Sequence, residues 1–227
     1  LFVPESGTSL LISHEYAEHL RNGEYPDELL GKMLSRGMAF LTGESQLPDH
    51  SKSIEPNFFL IDMTQFCNFS CKYCLRSPEI TGKRLSKQKL DEILDYIIDT
   101  CRSNHYTHIS IQPWGGEPLL EFENVMYIHQ KMKDSGIQVN ISLETNGSLI
   151  TPEVAEKLTE ANISVGISID GPREIHDAQR LTNSGKPTFE EVTSGIACLQ
   201  KAGMRNIGSI SVITKDSLKE LEKILDF

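Results

Sequence analysis

The sequence predicts an α/β protein: a partial parallel (β/α) barrel with five visible strand–helix units, preceded by a small hairpin-plus-helices unit. Three observations predict it. From residue 57 onward, apolar runs of strand length alternate with helical stripes of period 3.6. The connections between them are short, as parallel strands with helical crossovers require. The chemically unusual residues follow the carboxyl ends of the strands, the rim at which parallel barrels collect their chemistry.

Residues 1–41 read as a separate N-terminal unit. Residues 1–3 and 9–12 form two short strands around Glu5-Ser6-Gly7, a turn by composition. Ser13 caps a helix carrying Tyr16, Ala17 and Leu20 that stops at Asn22-Gly23. Pro26 starts a second helix with Leu29, Leu30, Met33 and Leu34, ending near Gly37. Such a unit is too small for a substantial core of its own, so it reads either as a packing extension or as a recognition module. Residues 42–56 are polar, contain proline and lack periodicity, the pattern of a linker.

The main domain occupies residues 57–227. Residues 58–63 make its first strand, followed by a helical stripe of Leu90, Ile93, Leu94, Ile97 and Cys101 introduced by Ser86. Residues 109–112 form the second strand, followed by Gly115-Gly116-Glu117-Pro118 and a helix bearing Phe122, Val125, Ile128 and Met132. The third strand, 139–143, runs into Glu144-Thr145-Asn146-Gly147. Thr151 then caps a helix with Pro152 at its first position. Residues 164–169 form the fourth strand, ending in Asp170-Gly171-Pro172 before a polar loop. Thr188 and Glu191 have capping-box spacing ahead of a stripe of Phe189, Val192, Ile196 and Leu199. Residues 207–213 are the fifth strand, and Leu218, Leu221 and Leu225 begin the fifth helix.

The net charge of −10 and the lack of a lysine-rich or arginine-rich block argue against a nucleic-acid or anionic-membrane surface. No apolar run approaches the roughly 18 residues of a membrane span, and the chain shows no secretory leader pattern; a soluble, cytoplasmic protein is expected. The first residue is Leu and the last, Phe227, ends an apolar helical pattern, which suggests a piece of a longer protein.

Three of the five cysteines, Cys67, Cys71 and Cys74, share the short loop after the first strand. An exposed thiolate oxidises readily, so three together ask for an occupant. An iron-sulfur cluster fits the spacing, and three thiolates would leave one iron of a 4Fe-4S cube open. The same spacing also lies along one helix face, which would make them core residues, but Asn68, Ser70 and Lys72 make a poor helix core. Structural zinc would want a fourth ligand, and none stands at finger spacing. Cys101 and Cys198 stand alone in helical stripes and read as packing residues. At the same rim, paired glycines permit close backbone approach, and Glu117 offers a carboxylate to a cationic group.

Taken together, the CxxxCxxC of Cys67, Cys71 and Cys74, with Tyr73 before the last cysteine, and Gly115-Gly116-Glu117-Pro118 resemble the radical S-adenosylmethionine superfamily over about residues 57–227. Ser168-Ile169-Asp170-Gly171-Pro172, followed by His176-Asp177 and Arg180, is similar to the branch of anaerobic sulfatase-maturing enzymes and peptide maturases with a C-terminal SPASM domain. The resemblance implies a TIM-like barrel of the radical S-adenosylmethionine type, truncated before SPASM, because this chain stops in the fifth of six expected units and has no auxiliary-cluster cysteines.

It also implies the cofactors: a 4Fe-4S cluster held by Cys67, Cys71 and Cys74, with S-adenosyl-L-methionine chelating the open iron. Gly115, Gly116 and Glu117 would hold the methionyl amine, Ser168 and Arg180 its carboxylate, and Asn146 the ribose. Tyr73, through its backbone, and Val212 would meet the adenine. Arg180 has a loop ion pair as its competing reading, and Asp170 a cap on the following turn. The implied activity is hydrogen abstraction by a 5'-deoxyadenosyl radical from a precursor peptide or protein, with an electron donor such as flavodoxin or ferredoxin. A sulfatase-type maturase, a small-molecule enzyme and a non-catalytic metal-binding domain are the alternatives. The N-terminal unit resembles the winged-helix leader-peptide recognition module of peptide maturases.

Overall fold

A computed structural model describes residues 2–3, 8–9, 14–35, 57–76 and 82–227. The chain divides into two compact units, Leu1–Glu55 and Pro56–Phe227.

In the first unit, β1 (Phe2–Val3) and β2 (Thr8–Ser9) pair antiparallel, with Phe2 opposite Ser9. Two helices follow, α1 (His14–Arg21) and α2 (Asp27–Ser35). Leu29 and Met33 are the buried positions of α2, and Tyr16 Oη on α1 donates to Glu28 at 2.9 Å. The expected cap Ser13, the outer strand residues 1 and 10–12, the stop near Gly37 and the linker 42–56 lie outside the described residues.

The second unit is a five-stranded parallel sheet in sequential order: β3 (Phe58–Thr64), β4 (His108–Gly115), β5 (Gln138–Thr145), β6 (Ser164–Ser168) and β7 (Ile207–Ile210). The crossovers carry α3 (Lys87–Ser103), α4 (Phe122–Ser135), α5 (Pro152–Glu160), α6 (Arg173–Gln179) and α7 (Phe189–Lys201), with α8 (Leu221–Leu225) after β7. An α/β fold with five parallel strands is thus what the alternating pattern predicted.

Side chains alternate across the pleat. Ile61 and Met63, Ile109 and Ile111, Ile141 and Leu143, and Val165 and Ile167 are buried in the core together with Leu90, Leu94 and Ile97 of α3, Ile128 and Met132 of α4, and Leu158 of α5. Each such side chain contributes about 2 kcal/mol on removal from water. The opposite face stays more open. There Phe58 and Leu60 are half exposed, and the register sets Asp62 beside Trp114 and Glu144 beside Gly166.

The caps of α3 and α5 form as their sequences imply, with Ser86 and Thr151 side chains accepting the Lys89 and Val154 amides at 3.2 Å. Cys101 is wholly buried in the core and Cys198 packs against it. Four local expectations are corrected. The polar loop after β6 contains α6, whose buried residues include the polar His176 and Gln179 rather than an apolar stripe. Thr188 forms no capping box, because Asp177 Oδ1 of α6 takes the Thr188 and Phe189 amides at 2.9 Å instead.

The fifth strand stops at Ile210, not residue 213. Beyond it, Ser211 Oγ bonds the Ile169 carbonyl and the Val212 amide bonds a side chain, so ladder pairing ends. In the last helical segment Ile224 is the buried residue, at 9% exposure, while Leu218 and Leu225 are 58% and 75% exposed.

Candidate cofactor-binding site

The cysteine loop leaves β3 at Thr64 and is fastened on two sides. One fastening is the glycine turn after β4. Gly116 N donates to Thr64 O at 2.8 Å and Glu117 N to Phe66 O at 2.9 Å. The approach is so close that a Cβ on Gly115 would lie 2.4 Å from Thr64 O, and one on Gly116 2.3 Å from Phe66 O. Gly115 also has φ 153, a region that side chains rarely adopt. The paired glycines therefore admit the chain's own loop as well as bordering the cleft.

The second fastening is the segment after α6. Ser70 N donates to Leu181 O at 2.7 Å, Lys72 N to Gln179 O at 2.9 Å, and Asn183 Nδ2 to Cys67 O at 2.9 Å. Phe69, 5% exposed, sinks from the loop into the core. A loop with this many main-chain partners holds its cysteines in fixed places.

Glu117 is 1% exposed, and its carboxylate is engaged within the chain. Oε1 accepts Thr145 Oγ1 at 2.6 Å and Leu119 N at 3.0 Å; Oε2 accepts Asn146 N at 2.8 Å. Burial raises its pKa against the pull of these three donors. The carboxylate is a strut between the turns after β4 and β5, whose oxygens a ligand amine would share with these donors. Asn146 is likewise engaged: Nδ2 donates to Asn68 Oδ1 at 2.9 Å, and Oδ1 accepts Ser148 Oγ at 2.7 Å and Ser148 N at 3.0 Å. It ties the β5 turn to the cysteine loop, a use that competes with a ribose contact.

Across the cleft, Arg180 reaches Asp170 with Nη2 to Oδ1 at 3.0 Å and Nε to Oδ2 at 3.0 Å. The Nε contact has ion-pair distance without hydrogen-bond alignment, so that N–H is a buried donor lacking an acceptor. Burial opposes the guanidinium charge, and the Asp170 carboxylate outweighs it, leaving the pKa raised. The ion-pair reading of Arg180 is what the structure shows. Asp170 does more than cap a turn, since it also accepts Tyr73 Oη at 2.6 Å and Val212 N at 3.0 Å.

These elements enclose a cleft of about 1000 Å³. Its walls bring together all eleven residues expected from the sequence: Cys67, Cys71, Cys74, Tyr73, Gly115, Gly116, Glu117, Asn146, Ser168, Arg180 and Val212. Sequence reasoning missed Trp114 and Glu144 as cleft residues. Both sit on the open face of the sheet near strand ends, a placement that strand alternation could have found. The Glu144 side chain has no hydrogen bond or ion pair among the described residues, although its main chain lies in the β5–β6 ladder.

Burial pushes the Cys67 thiol up to about 11 and also raises Cys71, whose rise the Arg180 charge reduces. Neutral thiols in a half-buried site become thiolates when a metal compensates the charge. Among the described residues no three His, Cys, Asp or Glu side chains converge closely enough for one metal ion.

A parallel sheet with a three-thiol loop, a glycine turn and a polar cleft at its carboxyl rim defines an iron-sulfur enzyme class that acts with a bound small cofactor. The chain belongs to the radical SAM superfamily, whose family model, described as "Radical SAM superfamily", matches residues 61–227. That family uses a 4Fe-4S cluster and S-adenosylmethionine, and the donor set of the cleft fits both.

A serine-type anaerobic sulfatase-maturating enzyme of Bacteroides thetaiotaomicron is 35% identical over 145 residues, 61% of this chain and 35% of its own. A cysteine-type anaerobic sulfatase-maturating enzyme of Clostridium perfringens is 29% identical, covering 70% of this chain and 44% of its own. The radical SAM cyclopropyl synthase TigE of Paramaledivibacter caminithermalis is 25% identical, covering 96% of this chain and 51% of its own. Among solved structures, anSMEcpe with bound AdoMet superposes with a TM-score of 0.68 at 27% identity, covering 76% of this chain and 48% of that one. The chain thus spans about half or less of the length of these relatives. Among the described residues no helix is long and apolar enough to cross a membrane.

Proposed function

We propose that the protein is a radical S-adenosylmethionine enzyme that abstracts hydrogen from a residue of a peptide or protein and matures a ribosomally made precursor in the cytoplasm. The observation that carries this reading is the single cleft shared by Cys67, Cys71, Cys74, the glycine turn and the ends of β6 and β7. When bound, the cluster and S-adenosylmethionine supply one-electron cleavage of a carbon–sulfur bond and the 5'-deoxyadenosyl radical.

The chain supplies the positioning. Cys67, Cys71 and Cys74 would hold the cluster. Main-chain groups of Gly115, Gly116 and Glu117 border the methionyl amine, and Ser168 with the remaining Arg180 donors faces its carboxylate. Glu144, a carboxylate with no partner of its own, suits ribose hydroxyls better than the engaged Asn146. Tyr73, by its backbone, and Val212 border the adenine. The apolar and aromatic wall formed by Phe69, Tyr73 and Trp114 excludes water.

A peptide or protein substrate is supported by the sulfatase-maturating relatives and by a similar anSMEcpe structure that holds a Cp18Cys peptide, at a TM-score of 0.64 and 26% identity. The cyclopropyl synthase aligns over nearly the whole chain, whereas the sulfatase-type relatives align over 61% and 70% of it. This favours carbon–carbon bond formation over sulfatase maturation. The N-terminal unit then serves as a leader-peptide module in which the precursor adds a strand beside β1 or β2, and an electron donor such as flavodoxin or ferredoxin serves as reductant.

Anaerobic incubation of the full-length protein with cofactor, reductant and candidate precursors tests this reading by mass spectrometry. A mass loss of two hydrogens in a precursor, together with 5'-deoxyadenosine release, is the expected result. Cofactor cleavage with every peptide unchanged would count against the peptide substrate. Deletion of residues 1–41 is expected to weaken precursor binding and spare cofactor cleavage.

A further inference from the structure

Three parts of the cleft wall meet on one carboxylate. Asp170, fully buried at the end of β6, accepts Tyr73 Oη of the cysteine loop, Arg180 Nη2 of the segment after α6, and Val212 N from beyond β7, at 2.6, 3.0 and 3.0 Å. The guanidinium of Arg180 also lies over the Tyr73 ring, 5.4 Å from its centre. The main-chain N–H of Asp170 is anchored in turn, donating to His176 Nδ1 at 3.3 Å.

Charge neutralisation of Arg180 would explain the ion pair alone. It does not explain why the same two oxygens collect the hydroxyl of Tyr73, which stands between Lys72 and Cys74. Nor does it explain the Val212 amide, which could have continued a strand ladder. Arg180 itself lies between Gln179 and Leu181, whose carbonyls hold the amides of Lys72 and Ser70. A shift of the Asp170–Arg180 pair therefore moves the seam that fixes Cys71 as well as the ring beside Cys74.

We infer that Asp170 is a positioning residue that fixes the cysteine loop and the cofactor-facing wall of Arg180 and Val212 relative to each other, so that cluster and S-adenosylmethionine meet in register. This rests on the cofactor reading above. A buried carboxylate suits the task because it can accept from several donors at once, and charge-assisted bonds are the strong ones. An amide at the same place keeps one acceptor oxygen and turns an N–H group toward the Arg180 or Tyr73 donors.

The test uses full-length Asp170→Asn and Tyr73→Phe. In cluster-free protein, hydrogen exchange at the Ser70 and Lys72 amides is expected to rise about tenfold in Asp170→Asn and less in Tyr73→Phe, as expected for loss of one or two charge-assisted bonds. In reconstituted protein, the Kd for S-adenosylmethionine, read from the change it causes in the paramagnetic resonance of the reduced cluster, is expected to weaken about tenfold and a few-fold respectively. Folded variants with wild-type exchange and wild-type Kd would overturn the inference and leave Asp170 only as the ion-pair partner of Arg180. If Asp170→Asn fails to fold, Tyr73→Phe decides alone, since it removes one hydroxyl from a part-buried ring. A wild-type protein that takes up no cluster would instead defeat the functional reading, and the exchange measurement would still judge the role of Asp170 in the loop.

Discussion

Glu117 Oε2 accepts the main-chain N–H of Asn146 at 2.8 Å, joining the turn after β4 to the turn after β5 beneath the cleft. The same side chain bonds Thr145 and Leu119, so one carboxylate ties the two turns where the β4–β5 ladder, whose last pair is Ile111 and Ile141, has already ended. Glu117→Gln keeps the volume but turns an NH2 group toward one set of donors. A buried donor facing a donor costs about 1–3 kcal/mol. Chemical denaturation should show that loss; an unchanged midpoint would mean the carboxylate is not the strut described above.

Gly116→Ala tests the other side of the same turn. The added methyl would lie 2.3 Å from the Phe66 carbonyl oxygen, a backbone atom that can retreat only by moving the cysteine loop. Destabilisation of about 1–3 kcal/mol is expected from such overpacking, together with reduced iron uptake. Gly136→Ala is the comparison. Its Cβ would meet nothing within 4 Å, although its φ of 77 carries its own strain, so it should lose stability but keep iron.

Much of this rim was legible in the sequence because its signals are local. Cys67, Cys71 and Cys74 lie within eight residues, and strand and helix periods mark β3 to β7 whatever they pack against. What escaped depends on contacts between distant positions. Asp170 meets Tyr73 97 residues away and Val212 42 residues away, and no periodicity records such a meeting. Short α6 buries polar groups, so it has no apolar stripe to read, and its Asp177 takes over the capping that Thr188 seemed placed to perform. Glu117 and Asn146 were legible as rim residues, but their internal partners were not, because a carboxylate or amide at a rim has the same sequence signature whether it faces ligand or protein.

His176 gives the fold a pH dependence of predictable sign. It is fully buried, and its Nδ1 accepts the Asp170 amide, so the hydrogen-bond pattern assigns the proton to Nε2, which donates to Thr188 Oγ1 at 3.1 Å. Thr188 passes the chain on to the Arg180 carbonyl at 2.7 Å. Burial, then the Arg180 charge, lowers the His176 pKa, with Asp170 and Asp177 opposing more weakly. The unfolded chain takes up a proton near pH 6.5 that the native site refuses. Stability is therefore retained above about pH 6.5 and falls as pH drops toward the lower native pKa, by at most about 1.4 kcal/mol per pH unit. Denaturation midpoints of wild type and His176→Gln between pH 7.5 and 5.5 should diverge, with the wild type losing more; parallel curves would remove His176 from the account.

The division of the cysteines makes the sharpest test of the site. Cys67, Cys71 and Cys74 line the cleft, whereas Cys101 is wholly buried in the core and Cys198 packs against it from α7. A cluster held by three thiolates has no spare protein ligand, so loss of any one leaves two irons exposed to exchange with solvent and reductant. Cys67→Ala, Cys71→Ala and Cys74→Ala are each expected to abolish stable iron uptake after anaerobic reconstitution, while circular dichroism stays near wild type because the loop is still fastened by its main-chain bonds to Gly116, Glu117, Gln179 and Leu181. Cys101→Ala should keep its iron and lose about 1 kcal/mol of stability through the small cavity it leaves, and Cys198→Ala should lose less because it is only partly buried. Iron and sulfide analysis beside thermal unfolding separates the two groups, and equal iron loss in all five variants would erase the distinction between cleft and core.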